Sequence, residues 1–170
     1  MMEIRKLRAT EVELFREIRM ESTRLHPEAF CDCPEEMLGY SEQKMHDFAD
    51  PSDSFPQKFI LGAFENDRLL GVVGFFREES IKERHRGYVW SVYTRPEARG
   101  KGVSRALMEA LIAEARKIEG LEFLALDVST TQQPARNLYL SLGFFVTGKN
   151  PCIYKMGETY VDNESMLLKL

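Results

Sequence analysis

The chain has 170 residues, of which 44% are hydrophobic, 29% charged and 11% aromatic, and its net charge is -4. This balance excludes a disordered, collagen-like or coiled-coil chain, and the length fits a single domain over residues 1–170. Because acidic residues outnumber basic ones, we expect no nucleic-acid partner.

The first third of the chain is predicted to be mainly helical after a short strand over residues 3–7. A helix is predicted over residues 10–22, because its first four residues have the Thr-x-x-Glu form of a capping box and apolar residues follow at helical spacing. A proline followed by two glutamates begins a second helical segment over residues 34–49, with a break near Gly39.

The middle of the chain is predicted to contain four strands. Two apolar runs, Phe59–Phe64 and Leu69–Phe76, are separated by the turn residues Glu65–Arg68 and predict a β-hairpin. A third strand is predicted over Tyr88–Tyr93. The fourth, Leu121–Val128, is apolar enough to be buried on both faces.

A long amphipathic helix is predicted between the last two of these strands. Its apolar residues recur at helical spacing over Val103–Ile118, and Gly120 follows as a helix stop. Strand, helix and strand form a βαβ unit, so these two strands should be parallel. A shorter helix over residues 134–142 and short β-like runs, Ile153–Met156 and Ser165–Leu170, complete the chain.

The turn before the long helix, Arg99–Ser104, has the chemistry of a pyrophosphate site. Its two glycines allow backbone N–H groups to curl around an anion, and the helix N-terminus adds partial positive charge. Arg99, Lys101 and Arg105 add full charges. From the glycines alone, a tight turn without a ligand is an equally good interpretation. Neither a Walker A loop nor a Rossmann fingerprint is present.

The pattern Arg99-x-x-Gly102-x-Ser104 resembles the Arg/Gln-x-x-Gly-x-Gly/Ala signature of the GNAT superfamily of N-acetyltransferases, with a serine at the last position. The segments Val92–Pro96 and Leu138–Phe144 are similar to the family's preceding strand and its Leu-Tyr … Leu-Gly-Phe segment. The resemblance implies an α/β (α+β) fold, in which a mixed, mostly antiparallel central sheet has a splayed parallel strand pair and is flanked by helices.

The resemblance also implies a site for acetyl-CoA as co-substrate. The third strand should carry a β-bulge and splay from its neighbour, so that the backbone of Val92, Tyr93 and Thr94 holds the pantetheine arm. Gln132, where relatives often carry an asparagine, could hydrogen-bond the same arm. The implied pyrophosphate residues are Arg99, Gly100, Lys101, Gly102, Val103 and Ser104.

Tyr139 matches the family tyrosine near the coenzyme sulfur and is the predicted catalytic acid, since a phenol with a pKa near 10 keeps its proton at neutral pH. A backbone N–H near Val92 is the expected oxyanion donor. Many relatives place a glutamate base on the third strand, but Tyr88–Thr94 has no carboxylate, so we expect a bound water to relay the proton. The other candidate bases are Glu78, Glu79 and Asp127. We expect each of them to be a solvated surface residue.

The sequence thus predicts an N-acetyltransferase that transfers acetyl to a primary amine of a small molecule or peptide by direct attack in a ternary complex. A non-catalytic acyl-CoA sensor and an unrelated nucleotide-phosphate-binding domain are the alternatives. The acceptor remains open, and the segments expected to line its pocket are Leu25–Ser54 and Pro151–Glu164, where Asp162 or Glu164 could meet a cationic substrate.

Other features indicate the setting of the protein. Its three cysteines, Cys31, Cys33 and Cys152, have no Cys-x-x-Cys spacing, so reduced thiols and no metal are expected. The charged opening residues lack the apolar core of a secretory signal, and the hydrophobic runs are too short to span a bilayer, so we expect a cytoplasmic protein without a membrane partner. An edge strand near the C-terminus leaves a homodimer open.

Overall fold

A computed structural model describes residues 1–170 as one seven-stranded mixed sheet with five α-helices. The strands are β1 (Glu3–Lys6), β2 (Lys58–Glu65), β3 (Arg68–Arg77), β4 (Arg86–Thr94), β5 (Phe123–Ser129), β6 (Phe145–Met156) and β7 (Thr159–Lys169). The helices are α1 (Val12–Leu25), α2 (Pro34–Leu38), α3 (Glu42–Ala49), α4 (Val103–Ala115) and α5 (Gln133–Ser141).

The strand order is β1-β2-β3-β4-β5-β7-β6, and β4 and β5 form the one parallel pair. All other neighbours are antiparallel, so the predicted fold class and the parallel βαβ unit are confirmed. The last two strands are much longer than the predicted short runs, because β7 lies between β5 and β6 and pairs with both. This two-sided pairing is long-range and leaves no local signal in the sequence.

Helices cover the sheet on both faces. The helix α4 packs on one face through fully buried side chains such as Leu107 and Leu111. The helices α1 and α3 cover the other face with Phe15, Ile18 and Met45. Burying each side chain of this size contributes about 1.5–3 kcal/mol. The strand β4 is therefore held between two apolar layers.

The start of α1 differs from the predicted capping box. A short 3-10 turn precedes the helix, and the carboxylate of Glu11, not that of Glu13, accepts the backbone N–H of Arg8 at 2.8 Å. Two hydrogen bonds from Arg5, at 2.7 and 2.9 Å, lower the pKa of Glu11 to about 2. Because Glu11 is ion-paired with Arg5 of β1, it is Glu11 that accepts the backbone N–H at the start of the helix.

The predicted break near Gly39 is confirmed, because residues 34–49 form two helices. The hydroxyl of Ser41 accepts the N–H of Lys44 at 3.1 Å and caps the start of α3. None of the helices combines the length and the apolar composition that a membrane-spanning helix needs.

Candidate active site

The strands β4 and β5 separate after a short paired segment. Their parallel register ends with Tyr88 opposite Ala125, and the rest of β4 has no partner on β5. Beyond this point, the edges of β4 and β5 that face each other are not hydrogen-bonded to each other. The sequence-based expectation of a splayed strand pair is therefore confirmed.

A β-bulge in β4 lies beside the opening. Gly74 of β3 is opposite Trp90, whereas Val72 is opposite Tyr93, so β4 contains one extra residue between these pairs. Ser91 has a φ of 56°, a left-handed conformation that is uncommon for a residue with a side chain. The bulge turns the backbone of β4 at the point where the strands diverge.

A cleft of about 720 Å³ opens between the diverging strands. Tyr139, the predicted catalytic acid, lines it. Among the predicted coenzyme residues, those that line it are Val92, Tyr93, Thr94, Arg99, Gly100, Gly102, Val103, Ser104 and Gln132. Lys101 is exposed and is not part of the lining, so the structure gives it no contact with the cleft.

The two glycines of the phosphate turn have left-handed backbones, with φ of 74° at Gly100 and 78° at Gly102. A Cβ atom at either position would meet no other atom within 4 Å. Without a bound ligand, the left-handed backbone conformation is therefore the reason for glycine at these positions, and contacts with neighbouring atoms are not. The space that a Cβ would occupy is open beside the start of α4.

Two polar contacts hold the turn against β4. The Thr94 and Ser104 hydroxyls are hydrogen-bonded at 2.8 Å. Ser104, which stands where the family motif has glycine or alanine, thus provides the hydrogen-bond partner of the buried Thr94 hydroxyl. Arg99 donates from Nε to the Thr94 carbonyl oxygen at 3.2 Å and from Nη2 to His26 Nε2 at 2.8 Å.

The side chain of Tyr93 has a structural role in addition to lining the cleft. It is buried, and its hydroxyl donates to Glu21 Oε1 at 2.8 Å. Arg95 donates to the other oxygen of the same carboxylate. The helix α1 thus fixes the end of β4.

Tyr139 lies on α5 and is 4% exposed. Its ring packs beside Phe144 at a centroid distance of 6.0 Å. Burial raises the pKa of the phenol above its ordinary value, so the hydroxyl is protonated at neutral pH. Before the same helix, Gln132 Nε2 donates to Glu28 Oε1 at 2.8 Å, which ties α5 to the segment after α1.

The acidic candidates from the sequence have different surroundings. Asp127 lines the cleft and accepts hydrogen bonds from the Tyr88 hydroxyl at 2.5 Å and the Ser165 hydroxyl at 2.6 Å. Although it is exposed, as expected, it is also held in place. Glu78 and Glu79 lie outside the cleft lining.

Asp162 and Glu164 also lie outside the lining and are ion-paired, with Lys149 and Arg136 respectively. They are therefore engaged within the chain.

Several lining residues were not singled out by the sequence. The loop after α1 contributes Ala29, Phe30, Cys31 and Asp32, and α1 contributes Arg19; β6 and β7 contribute Tyr154 and Asn163. The expected acceptor segments are thus represented by a few residues each. The three cysteines are unpaired, and no group of three or more His, Cys, Asp or Glu side chains could hold a metal ion.

Curated relatives include L-amino acid N-acyltransferase MnaT from Escherichia coli (strain K12), which is 31% identical over 111 residues, or 65% of this chain. An L-methionine sulfoximine/L-methionine sulfone acetyltransferase from Salmonella typhimurium is 30% identical over the same length. Each match spans 64% of the relative, slightly less than two thirds of its length.

Solved structures show the same fold. An acetyltransferase of the GNAT family from Streptococcus pneumoniae has a TM-score of 0.88 at 21% identity, with 100% of both chains covered. The yncA protein of Salmonella typhimurium, solved with acetyl-CoA, has a TM-score of 0.77 at 24% identity and covers 100% of this chain and 94% of its own. The family model for the acetyltransferase (GNAT) family matches residues 15–144, which include the splayed strands, the phosphate turn and Tyr139. The chain therefore belongs to the GNAT acetyltransferase family.

Proposed function

We propose that this protein is an acetyl-CoA-dependent N-acetyltransferase that acetylates a primary amine of a small molecule or peptide in a ternary complex. The observation that carries this proposal is the cleft between β4 and β5, which has the phosphate turn and a buried tyrosine in one continuous lining. A structural neighbour solved with acetyl-CoA supports the choice of acyl donor.

The residues of the cleft fit a coenzyme with an extended arm and a pyrophosphate. The unpaired edge of β4 over Val92–Thr94 offers backbone groups to the amides of a pantetheine arm. The N–H groups of the turn and the charge of Arg99 fit a pyrophosphate, and the open space beside Gly100 and Gly102 leaves room for it. Gln132 lines the same cleft and can hydrogen-bond the arm.

Acetyl-CoA supplies a thioester, whose C–S bond breaks as the amine nitrogen bonds to the acetyl carbon. A backbone N–H near Val92 stabilises the negative charge that develops on the carbonyl oxygen. The Tyr139 hydroxyl donates a hydrogen bond to the departing sulfur. Water in the cleft takes the proton that the nitrogen loses, because β4 carries no carboxylate.

The surroundings of Tyr139 define its role further. A thiol has an ordinary pKa of about 8.5, while burial raises the pKa of this phenol above about 10. Complete proton transfer from the phenol to the thiolate is therefore uphill. Donation of a hydrogen bond from Tyr139 stabilises the sulfur charge during bond breaking, and solvent supplies the final proton of the free thiol.

Mass spectrometry of purified protein incubated with acetyl-CoA and a pooled panel of amines, amino acids and peptides tests the function. We expect a product that is heavier by one acetyl group. Coenzyme binding without any product would favour the sensor, and a protein that binds neither acetyl-CoA nor CoA would refute the proposal.

The variant Tyr139→Phe tests the catalytic role. We expect kcat to fall by roughly ten- to a thousand-fold while the Kd for coenzyme changes little. Tyr160→Phe is the matched control, since Tyr160 is exposed and outside the cleft lining. An unchanged kcat in Tyr139→Phe would contradict the role of the phenol.

A further inference from the structure

One part of the cleft consists of polar side chains that the coenzyme scheme does not use. We call it the acceptor half and define it by Arg19, Asp32, Tyr88, Asp127, Tyr154 and Asn163, which all line the cleft. They come from α1, the loop after it, β4, β5, β6 and β7.

The strand residues of the acceptor half share the face of the sheet opposite α4. Leu126 and Val128 lie in the core that α4 covers, so by strand alternation Asp127 faces the other way. Ser165 is the antiparallel partner of Asp127, and Asn163 is the partner of Ser129, two residues further along the same face. The contact between Tyr88 and Asp127 joins β4 to this group.

The one cation of the acceptor half is already engaged. Arg19 is 6% exposed and donates to Asp32 Oδ2 at 2.8 Å and to Ser91 Oγ at 3.2 Å. Its guanidinium also lies 5.3 Å from the ring centroid of Phe30. The Tyr40 hydroxyl donates to the other oxygen of Asp32 at 2.9 Å, so this ion pair is complete within the chain.

Asp127, in contrast, has no cationic partner. Its two oxygens accept hydrogen bonds from neutral hydroxyls, those of Tyr88 and Ser165, and it belongs to no ion pair. Arg19 and Asp32 form an ion pair, so Asp127 is the one carboxylate of the acceptor half without a cationic partner in the chain. Its negative charge attracts a bound cation.

Asn163 adds an independent observation. It is 6% exposed, and its Oδ1 atom is buried with no hydrogen-bond partner. An unsatisfied buried acceptor costs about 1–3 kcal/mol, so a ligand that brings an N–H group to it recovers that free energy. An ammonium group can satisfy such a carbonyl and the nearby carboxylate together.

We propose that the acceptor is an amine without a carboxylate beside its amino group, which binds as the ammonium through Asp127 and the Oδ1 atom of Asn163 and loses one proton to water before its nitrogen attacks the thioester. The proposal rests on the function proposed above and specifies its substrate class. A carboxylate on the acceptor would find no free cation, because Arg19 is paired and Arg99 and Arg105 lie at the phosphate turn. The proposed acceptor class differs from the L-amino acid and the L-methionine derivatives in the names of the relatives.

Matched pairs of acceptors that differ by one carboxylate test this proposal. We would compare 1,5-diaminopentane with L-lysine, and L-methioninamide with L-methionine, as acetyl acceptors. Calorimetry would measure the binding of the same four compounds to the CoA-loaded protein. We expect at least a tenfold preference for the carboxylate-free member of each pair. Equal or inverse preference in turnover and in binding would overturn the proposal.

Two variants connect that preference to the named atoms. Asp127→Asn removes the charge and Asn163→Leu removes the carbonyl acceptor at similar size. Each is expected to raise KM or Kd for 1,5-diaminopentane about tenfold, with kcat changed by less than about threefold. Glu65→Gln, an exposed residue at the end of β2, is the control for loss of a distant charge. Unchanged KM and Kd in Asp127→Asn would overturn the proposal.

The proposed function and the proposed acceptor class can fail separately. If no amine is acetylated, the calorimetric comparison still decides whether the acceptor half prefers amines without a carboxylate. If amino acids are acetylated as well as their amides, the acetyltransferase function stands and the proposed selectivity is wrong.

Discussion

Substitution of Gly102 separates the two roles of glycine in the phosphate turn. Gly102 is the residue before α4 and has φ of 78° and ψ of 9°, in the left-handed region. An L-residue in this region costs about 1–2 kcal/mol, and no neighbouring atom adds to that cost because a new Cβ meets nothing within 4 Å. Gly102→Ala should therefore lower the free energy of unfolding by about 1–2 kcal/mol.

Coenzyme affinity is expected to fall by a separate mechanism. If the pyrophosphate approaches the backbone of the turn, the new methyl group occupies space that the ligand needs. A loss of about 1.4–2.8 kcal/mol of binding free energy raises the Kd about ten- to a hundredfold. Because the Kd is measured on folded protein, the loss of stability does not by itself produce this change.

Gly157 is a matched control within the same chain. It has a φ of 60°, has open space around its Cβ position and lies in the turn between β6 and β7. Gly157→Ala should lose stability to a similar degree and retain full affinity for CoA. Chemical denaturation gives the stabilities and titration calorimetry gives the Kd values. Equal Kd values for wild type and Gly102→Ala would refute a close approach of the pyrophosphate and leave the glycines a purely conformational role.

Three further predictions concern the framework, and each is measured by denaturant unfolding. Ser104→Ala should cost about 1 kcal/mol, because the buried Thr94 hydroxyl loses its partner; an unchanged stability would contradict that role. Glu11→Gln should cost about 1–2 kcal/mol at pH 7. Since the folded pKa of Glu11 is about 2, below its ordinary 4.5, this difference should be full above pH 4.5 and vanish towards pH 2; a difference independent of pH would refute the ion-pair explanation. Leu107→Ala, at a fully buried position, should cost about 2–5 kcal/mol, and a smaller loss would show that the core relaxes around the cavity.

The part of the cleft formed by β4, β5 and the phosphate turn, where we propose that the coenzyme binds, is the coenzyme half, and it was predictable because its signals are local. The periodicity of α4, the glycines before it and the apolar runs of β4 and β5 occupy one stretch of sequence. Helix and strand periodicity, together with right-handed parallel connection, place these elements next to each other without any further information. The predicted helix end at Ile118 was three residues too late, since α4 ends at Ala115.

The acceptor half was not predictable for the opposite reason. Its members are spread from Arg19 to Asn163, and each belongs to a different element. The position of Asn163 depends on the insertion of β7 between β5 and β6, which no local pattern indicates. Asp127 was recognised as a candidate, but its hydrogen bond with Tyr88 depends on two strands that meet only in the folded sheet.

The two halves of the cleft also differ in how strongly family membership constrains them. The coenzyme half is built largely from backbone groups and a glycine turn, which many sequences can provide. The acceptor half is built from side chains, and two of its six members, Tyr154 and Asn163, lie beyond the family match over residues 15–144. Family membership therefore bears more on the proposed acyl donor than on the acceptor. Since the acceptor half has an uncompensated carboxylate, its local chemistry is the stronger guide to the amine.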